Sequence, residues 1–218
     1  MKKILGYLLF FIVLVMCFWY FLFRDNDMWQ VKLPVLSYVK PFSFVNQDGN
    51  LVTETTLQNK VTVVEYFFTT CRGICPKMNR NMQLIYQDFA KESAFQILSH
   101  TCNPETDSAA VLKKYADSLN VDTKKWIFVT GRKDSLYNQA RNSYLLDDPK
   151  NNLKSMDEQF LHTQFFALVD KNGVVRGQIY DGLKQNELEQ LRKDIQKLLK
   201  EKAGKSGFAN SIFNNNPQ

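Results

Sequence analysis

Two cysteines four residues apart, in Cys71-Arg72-Gly73-Ile74-Cys75-Pro76, carry the sharpest chemical signal in this sequence. They lie where a run of β-branched and aromatic residues, Val61 to Phe68, gives way to Pro76 and to Met78, Met82, Ile85 and Phe89 at helical spacing. A helix N-terminus presents unpaired N–H groups and a partial positive charge. Both favour thiolate over thiol and make the sulfurs better nucleophiles and better soft-metal ligands. Within one turn the two sulfurs can meet, as a disulfide or around one ion; a disulfide that only clips the loop is the plain structural alternative. Soft thiolates suit Cu(I), whereas structural zinc normally takes four protein ligands, and no second cysteine pair exists here.

The chain has two histidines. His162 stands just before the apolar run Phe165–Val169, whose start can face the cysteine loop across the end of a sheet, so two sulfurs and one imidazole would make a copper-sized site. A surface or core histidine is the alternative. His100 reads as a strand-end histidine rather than a ligand. Cys102 follows the run Phe95–Ser99, whose end opens on the same rim as the Cys71 loop in a layered β/α sheet. It is either a third thiol at the site or, more simply, a loop cysteine with no role. Met78 and Met82 share their spacing with Ile85 and Phe89 and read as core packing, not thioether ligands, and Trp126 also reads as core.

The elements that must position these residues alternate. Asp48-Gly49 marks a hairpin turn, and Val61–Phe68 is apolar enough for a central strand buried on both faces. A helix follows from Pro76. Phe95–Ser99 and Trp126–Val129 read as strands, with a helix over 107–119 between them. A short helix is expected over 133–144, then a polar loop through Asp147-Asp148-Pro149 and Asn151-Asn152. Phe165–Val169 and Val174–Tyr180 flank Asp170-Lys171-Asn172-Gly173 as a hairpin, and a last helix begins near Lys184 with Leu188, Leu191, Ile195 and Leu198 on its buried face.

From Ile4 to Phe23 the chain is uncharged and almost wholly apolar, long enough at about 1.5 Å per residue to cross the roughly 30 Å hydrocarbon core. No small-residue cleavage pattern precedes Arg24, so the segment reads as a retained transmembrane helix. Met16 stands where a lipoprotein signal would need a small residue before Cys17, which reads as lipid-facing. Lys2 and Lys3 keep the N-terminus cytoplasmic and send everything after Arg24 across the membrane. Disulfides persist in that compartment, and the odd number left there, Cys71, Cys75 and Cys102, leaves at least one thiol free, metal-bound or paired with another chain. Expected boundaries are 1–3 cytoplasmic, 4–23 transmembrane, 24–40 a tether, 41–203 the folded domain and 204–218 a frayed tail.

With 218 residues, 44% hydrophobic and 13% aromatic, the chain has room for one packed domain and is no disordered polymer. The net charge of +6 is concentrated at the ends: Lys2 and Lys3, and seven Lys/Arg against four Asp/Glu from Lys184 to Lys205. That distribution is no nucleic-acid footprint.

The run Phe67-Phe68-Thr69-Thr70-Cys71-x-x-x-Cys75-Pro76-Lys77-Met78, then Asn103-Pro104-Glu105-Thr106-Asp107 leading to Leu112 and Tyr115, then Trp126 to Gly131, and Asp157 to Thr163 before Leu168-Val169-Asp170-x-x-Gly173, resembles the Sco/SenC proteins over roughly residues 40–200. The resemblance implies an α/β, thioredoxin-like fold: a central mixed sheet flanked by helices, with an N-terminal β-hairpin, after one transmembrane helix. It also implies Cys71, Cys75 and His162 as ligands of a copper ion, Cu(I) or Cu(II). The role implied is help in building the CuA centre of cytochrome c oxidase, from the extracytoplasmic side of a bacterial inner membrane, with an oxidase subunit or another copper chaperone as partner. Two departures stand out. Arg72 and Gly73 replace the usual Pro-Asp/Glu between the cysteines, so a guanidinium is expected to stabilise the Cys71 thiolate. Asn103 replaces the Asp of the Asp-Pro motif.

The competing function is a thiol–disulfide oxidoreductase, in which Cys71 and Cys75 form the redox pair with no obligatory metal. A peroxiredoxin would need Pro and Thr where Val64 and Phe68 stand. Thioredoxin proper separates its cysteines by two residues.

Overall fold

The structure, a computed structural model, describes residues 2–24, 32–147 and 163–204. The chain divides into two units, Met1–Lys32 and Leu33–Gln218. Among the described residues the first carries the helix α1 (Lys2–Arg24), about 35 Å long at the usual rise. Its Lys3–Phe21 stretch has a mean hydropathy of 2.5 and no buried residue, so by length and composition it can cross a membrane.

The second unit is built on one eight-stranded mixed sheet: β1 (Val35–Tyr38), β2 (Ser43–Asn46), β3 (Leu51–Thr53), β4 (Val61–Phe67), β5 (Phe95–Thr101), β6 (Trp126–Thr130), β7 (Phe165–Val169) and β8 (Val174–Asp181). Their order across the sheet is β1-β8-β7-β4-β5-β6-β2-β3. β4, β5 and β6 run parallel, and β7 runs antiparallel to β4. β4 is the central strand its composition demands, buried at every residue. Side-chain alternation splits its contacts. Val61, Val63 and Phe67 face α2 (Cys75–Phe89), α3 (Ala109–Leu119) and α5 (Gln185–Lys200). Val64 and Tyr66 face α4 (Lys133–Gln139) and the π-turn Ala140–Tyr144 that continues it.

The hairpin turns follow their chemistry. Gly49 takes φ +80° between β2 and β3, where the Asn46 side chain accepts from the N–H groups of Asp48 and Asn50. Met78, Met82 and Trp126 are fully buried core residues, as their spacing predicts.

Part of the stretch expected as a tether over 24–40 is folded into the sheet. Val35–Tyr38 forms β1, antiparallel to β8, with the Pro34 carbonyl accepting from Gly177 N and the Leu33 carbonyl from Arg176 Nε. A four-residue run pairs only because β8 offers it an open edge, and that partner lies far along the chain. Most of the polar loop after Asp147 and the tail beyond Gly204 lie outside the described residues.

Candidate metal centre

The site forms on the rim where the parallel strands end. Phe67 of β4 pairs with Thr101 of β5, and Cys102 N donates to the Phe67 carbonyl at 2.7 Å. The turn after β4 is closed by Cys71 N donating to Phe68 O at 3.2 Å and runs into α2, with Pro76 in its first turn. Proline is suited there: its φ is helical and its missing N–H would find no partner in the helix.

Cys71 and Cys75 are both free thiols, the first half-buried and the second buried. Their environments pull them apart. Burial pushes Cys71 up, but the Cys75 thiol and the backbone of Cys75, Gly73 and Ile74 hydrogen-bond to its sulfur, and their combined effect holds it below the ordinary thiol value. Cys75 is pushed up to about 12, first by burial, then by donating to Cys71, and by the charges of Cys71 and Glu65; a hydrogen bond from the Phe68 backbone opposes this. The turn thus makes one nucleophilic sulfur and one proton donor beside it. Arg72 is exposed and is not among the groups that lower Cys71, so the backbone of the helix start replaces the guanidinium expected from the sequence.

A buried carboxylate holds the loop in place. Asp107, fully buried, accepts from Thr69 N at 3.1 Å, Thr69 Oγ1 at 2.5 Å and Thr101 Oγ1 at 2.6 Å. It pins the approach to Cys71 to the end of β5. Its place in the Asn103–Asp107 motif was visible, but its partners come from two other segments.

Cys75 and Cys102 line one small cavity of about 10 Å³, together with Tyr66, Phe67, Phe68, Ile74 and Thr163. Thr163 is the residue after His162 in the chain. It is held by donation from Phe165 N to its Oγ1, and β7, which follows, is registered antiparallel to β4. His162 itself lies outside the described residues. Among the described residues, no group of three or more His, Cys, Asp or Glu is arranged to hold a metal ion. Cys102 is 2% exposed, and burial, then the charges of Cys75 and Asp107, keep its thiol neutral by raising it well above the ordinary value.

Sequence reading overlooked Glu65, the one acid within the apolar run of β4. It is fully buried; its Oε1 accepts from Ser99 Oγ at 2.6 Å, and Ser99 Oγ in turn accepts from Trp126 Nε1 at 2.8 Å. Its Oε2 has no hydrogen-bond partner among the described residues. Burial pushes this carboxyl from 4.5 up to about 7, against the Ser99 hydrogen bond. A charged residue inside such a run is the signal that would have found it.

His100 is no ligand: it is fully buried, stacked on Tyr66 at 4.8 Å and edge-on to Phe44 at 5.5 Å, and burial lowers it to about 3. It is a neutral core ring.

Compared with known proteins, residues 32–200 match the SCO1/SenC family. The SCO1 protein homolog of Bacillus subtilis is 30% identical over 170 residues, which span 76% of this chain and 85% of that protein. BsSco, a Sco-family cytochrome c oxidase assembly protein in which a disulfide switch has been identified, has a structure that superposes with a TM-score of 0.65 at 29% identity, covering 79% of this chain and 99% of the other. Yeast Sco1 with copper bound superposes with a TM-score of 0.55 at 24% identity over 75% of this chain and 94% of its own, a likeness of fold.

Proposed function

The chain belongs to the SCO1/SenC family, and from that premise we propose that it is a membrane-anchored copper-binding protein of cytochrome c oxidase assembly. It delivers copper to the CuA site or prepares the thiols of that site. Residues 4–23 anchor it as a single pass, with residues 1–3 in the cytoplasm and the domain that follows on the extracytoplasmic side of a bacterial inner membrane. Its partner is the copper-receiving oxidase subunit or another copper chaperone.

Copper is the cargo, held by Cys71, Cys75 and His162. The observation that carries this is the meeting of Cys71 and Cys75 at the start of α2, with Thr163, one residue from His162, lining the same cavity as Cys75. Two soft sulfurs beside an imidazole suit copper. Three ligands leave the ion open to a partner's ligand before the old ones let go. The turn's part is to favour the thiolate form of Cys71 and to place the Cys75 proton where metal binding displaces it.

The test is metal analysis of the purified chain after loading with Cu(I). Wild type is expected to hold about one copper and each of Cys71→Ala, Cys75→Ala and His162→Ala to weaken it by at least about tenfold. Unchanged affinity in His162→Ala would remove the imidazole from the ligand set.

A second reading is favoured by the unequal thiols: a thiol–disulfide oxidoreductase using Cys71 as attacking sulfur and Cys75 as the sulfur that resolves the mixed disulfide. It needs no His162, so reduction of a partner disulfide at full rate by His162→Ala separates it from copper delivery.

A further inference from the structure

Three thiols lie in order of depth at the rim of the sheet: Cys71 half-buried, Cys75 6% exposed and Cys102 2% exposed. Cys71 and Cys75 meet through a sulfur hydrogen bond. Cys75 and Cys102 line the same cavity of about 10 Å³, which holds room for about one small atom. The cavity opens where the two faces of the sheet come together beyond the strand ends. Cys75 belongs to the core on the α2 side and Cys102 to the core on the α4 side. Hydrogen bonds from backbone and side chains hold both sides of this cavity together. Cys102 N is tied to Phe67 O, and Asp107 ties Thr69 before the Cys71 turn to Thr101 beside Cys102. The Tyr137 hydroxyl donates to the Cys102 carbonyl at 2.8 Å, fixing the residue from behind.

We propose that Cys102 is an internal exchange thiol for the Cys71–Cys75 pair. Its sulfur attacks Cys75 of the Cys71–Cys75 disulfide, forms a buried Cys75–Cys102 disulfide and releases Cys71 as a free thiol.

The exchange balances without an external reagent. The Sγ71–Sγ75 bond breaks, the Sγ75–Sγ102 bond forms, and the proton leaving Cys102 ends on Cys71. The first disulfide is made by a partner disulfide, whose two sulfurs are reduced as Cys71 and Cys75 are oxidised. Cys75 is the shared partner because it hydrogen-bonds to Cys71 and lines the same cavity as Cys102. The product places a neutral bond in the core and leaves the half-buried sulfur outside. One oxidising event would therefore remove Cys75 from the copper ligands while keeping Cys71 reactive. Three-sulfur metal binding is a different use of Cys102; among the described residues no group of three His, Cys, Asp or Glu is arranged to hold a metal ion.

The proposal rests on the proposed function only for the pairing of Cys71 with Cys75, and it is tested on metal-free protein so that failure to bind copper does not bear on it. The full chain in detergent is oxidised with glutathione disulfide, its free thiols are blocked with N-ethylmaleimide in denaturant at mildly acidic pH, where exchange is slow, and tryptic peptides are mapped. Cleavage after Arg72 puts Cys71 and Cys75 on separate peptides, so every pairing is distinguishable. Expected are intramolecular Cys75–Cys102 links with alkylated Cys71 in wild type, and one intramolecular Cys75–Cys102 disulfide in Cys71→Ser. Cys102→Ser should form only the Cys71–Cys75 link. A Cys71–Cys75 link alone in wild type, with Cys71→Ser carrying glutathione on Cys75 and a reduced Cys102, would overturn the proposal, as would Cys75–Cys102 links found only between chains. Circular dichroism of each variant matched to wild type confirms that the pairing is read on the folded protein.

Discussion

Replacing Glu65 with Gln should flatten the fall in stability that the wild type shows as pH rises. The carboxyl is buried with one oxygen unpartnered and sits at about 7 instead of 4.5. Below the lower value it is neutral in both folded and unfolded chains. Between the two values the folded chain keeps a proton that the unfolded chain has lost, so stability declines with rising pH, and above about pH 7 the loss is complete. At about 1.4 kcal/mol per pH unit the gap is worth about 3 kcal/mol, of which about 2.5 kcal/mol falls between about pH 5 and about pH 8. His100 acts the other way over part of that window. Its pKa is lowered from 6.5 to about 3, so the stability it costs at low pH is regained as pH rises to its ordinary value. The difference between wild type and variant at each pH cancels this contribution. Urea unfolding of the full chain in detergent, followed by near-ultraviolet circular dichroism, should show Glu65→Gln gaining about 2.5 kcal/mol on wild type between the two conditions. A wild-type-to-variant difference that is the same at both would refute the placement of a neutral carboxyl in that core.

In the reduced chain near neutral pH, iodoacetamide should label Cys71 first, with Cys75 and Cys102 reacting at a comparable rate only in denaturant; equal labelling of Cys71 and Cys75 in the folded protein would contradict the asymmetry of the turn. Asp107→Ala strips a buried acceptor from two threonine hydroxyls and a backbone N–H, and should cost about 3–5 kcal/mol in urea unfolding while erasing the slow labelling of Cys75. A chain lacking residues 1–24 should leave the membrane fraction in alkaline carbonate with its circular dichroism intact. Its retention there would place the membrane contact in the domain instead.

Much of this protein is written locally. A strand with no polar face except Thr62 and Glu65 must be central, Pro76 must begin a helix, and Asp48-Gly49 and Asn172-Gly173 must turn, because each follows from backbone sterics or the period of burial within a few residues. The cysteine turn was legible for the same reason: its chemistry comes from being the first turn of α2. Other features depend on partners that are distant in sequence. β1 pairs with β8 across more than a hundred residues, Asp107 clamps Thr69 and Thr101, and Cys102 comes to share a cavity with Cys75. Arg72, chosen from sequence as the thiolate's neighbour, is exposed, and backbone N–H groups take that part. Residue types and spacing state what a side chain is able to do, because reactivity begins with the atom. Burial and proximity select which of those abilities is used, because desolvation and hydrogen bonding arise only when strands far apart in the chain close into one sheet.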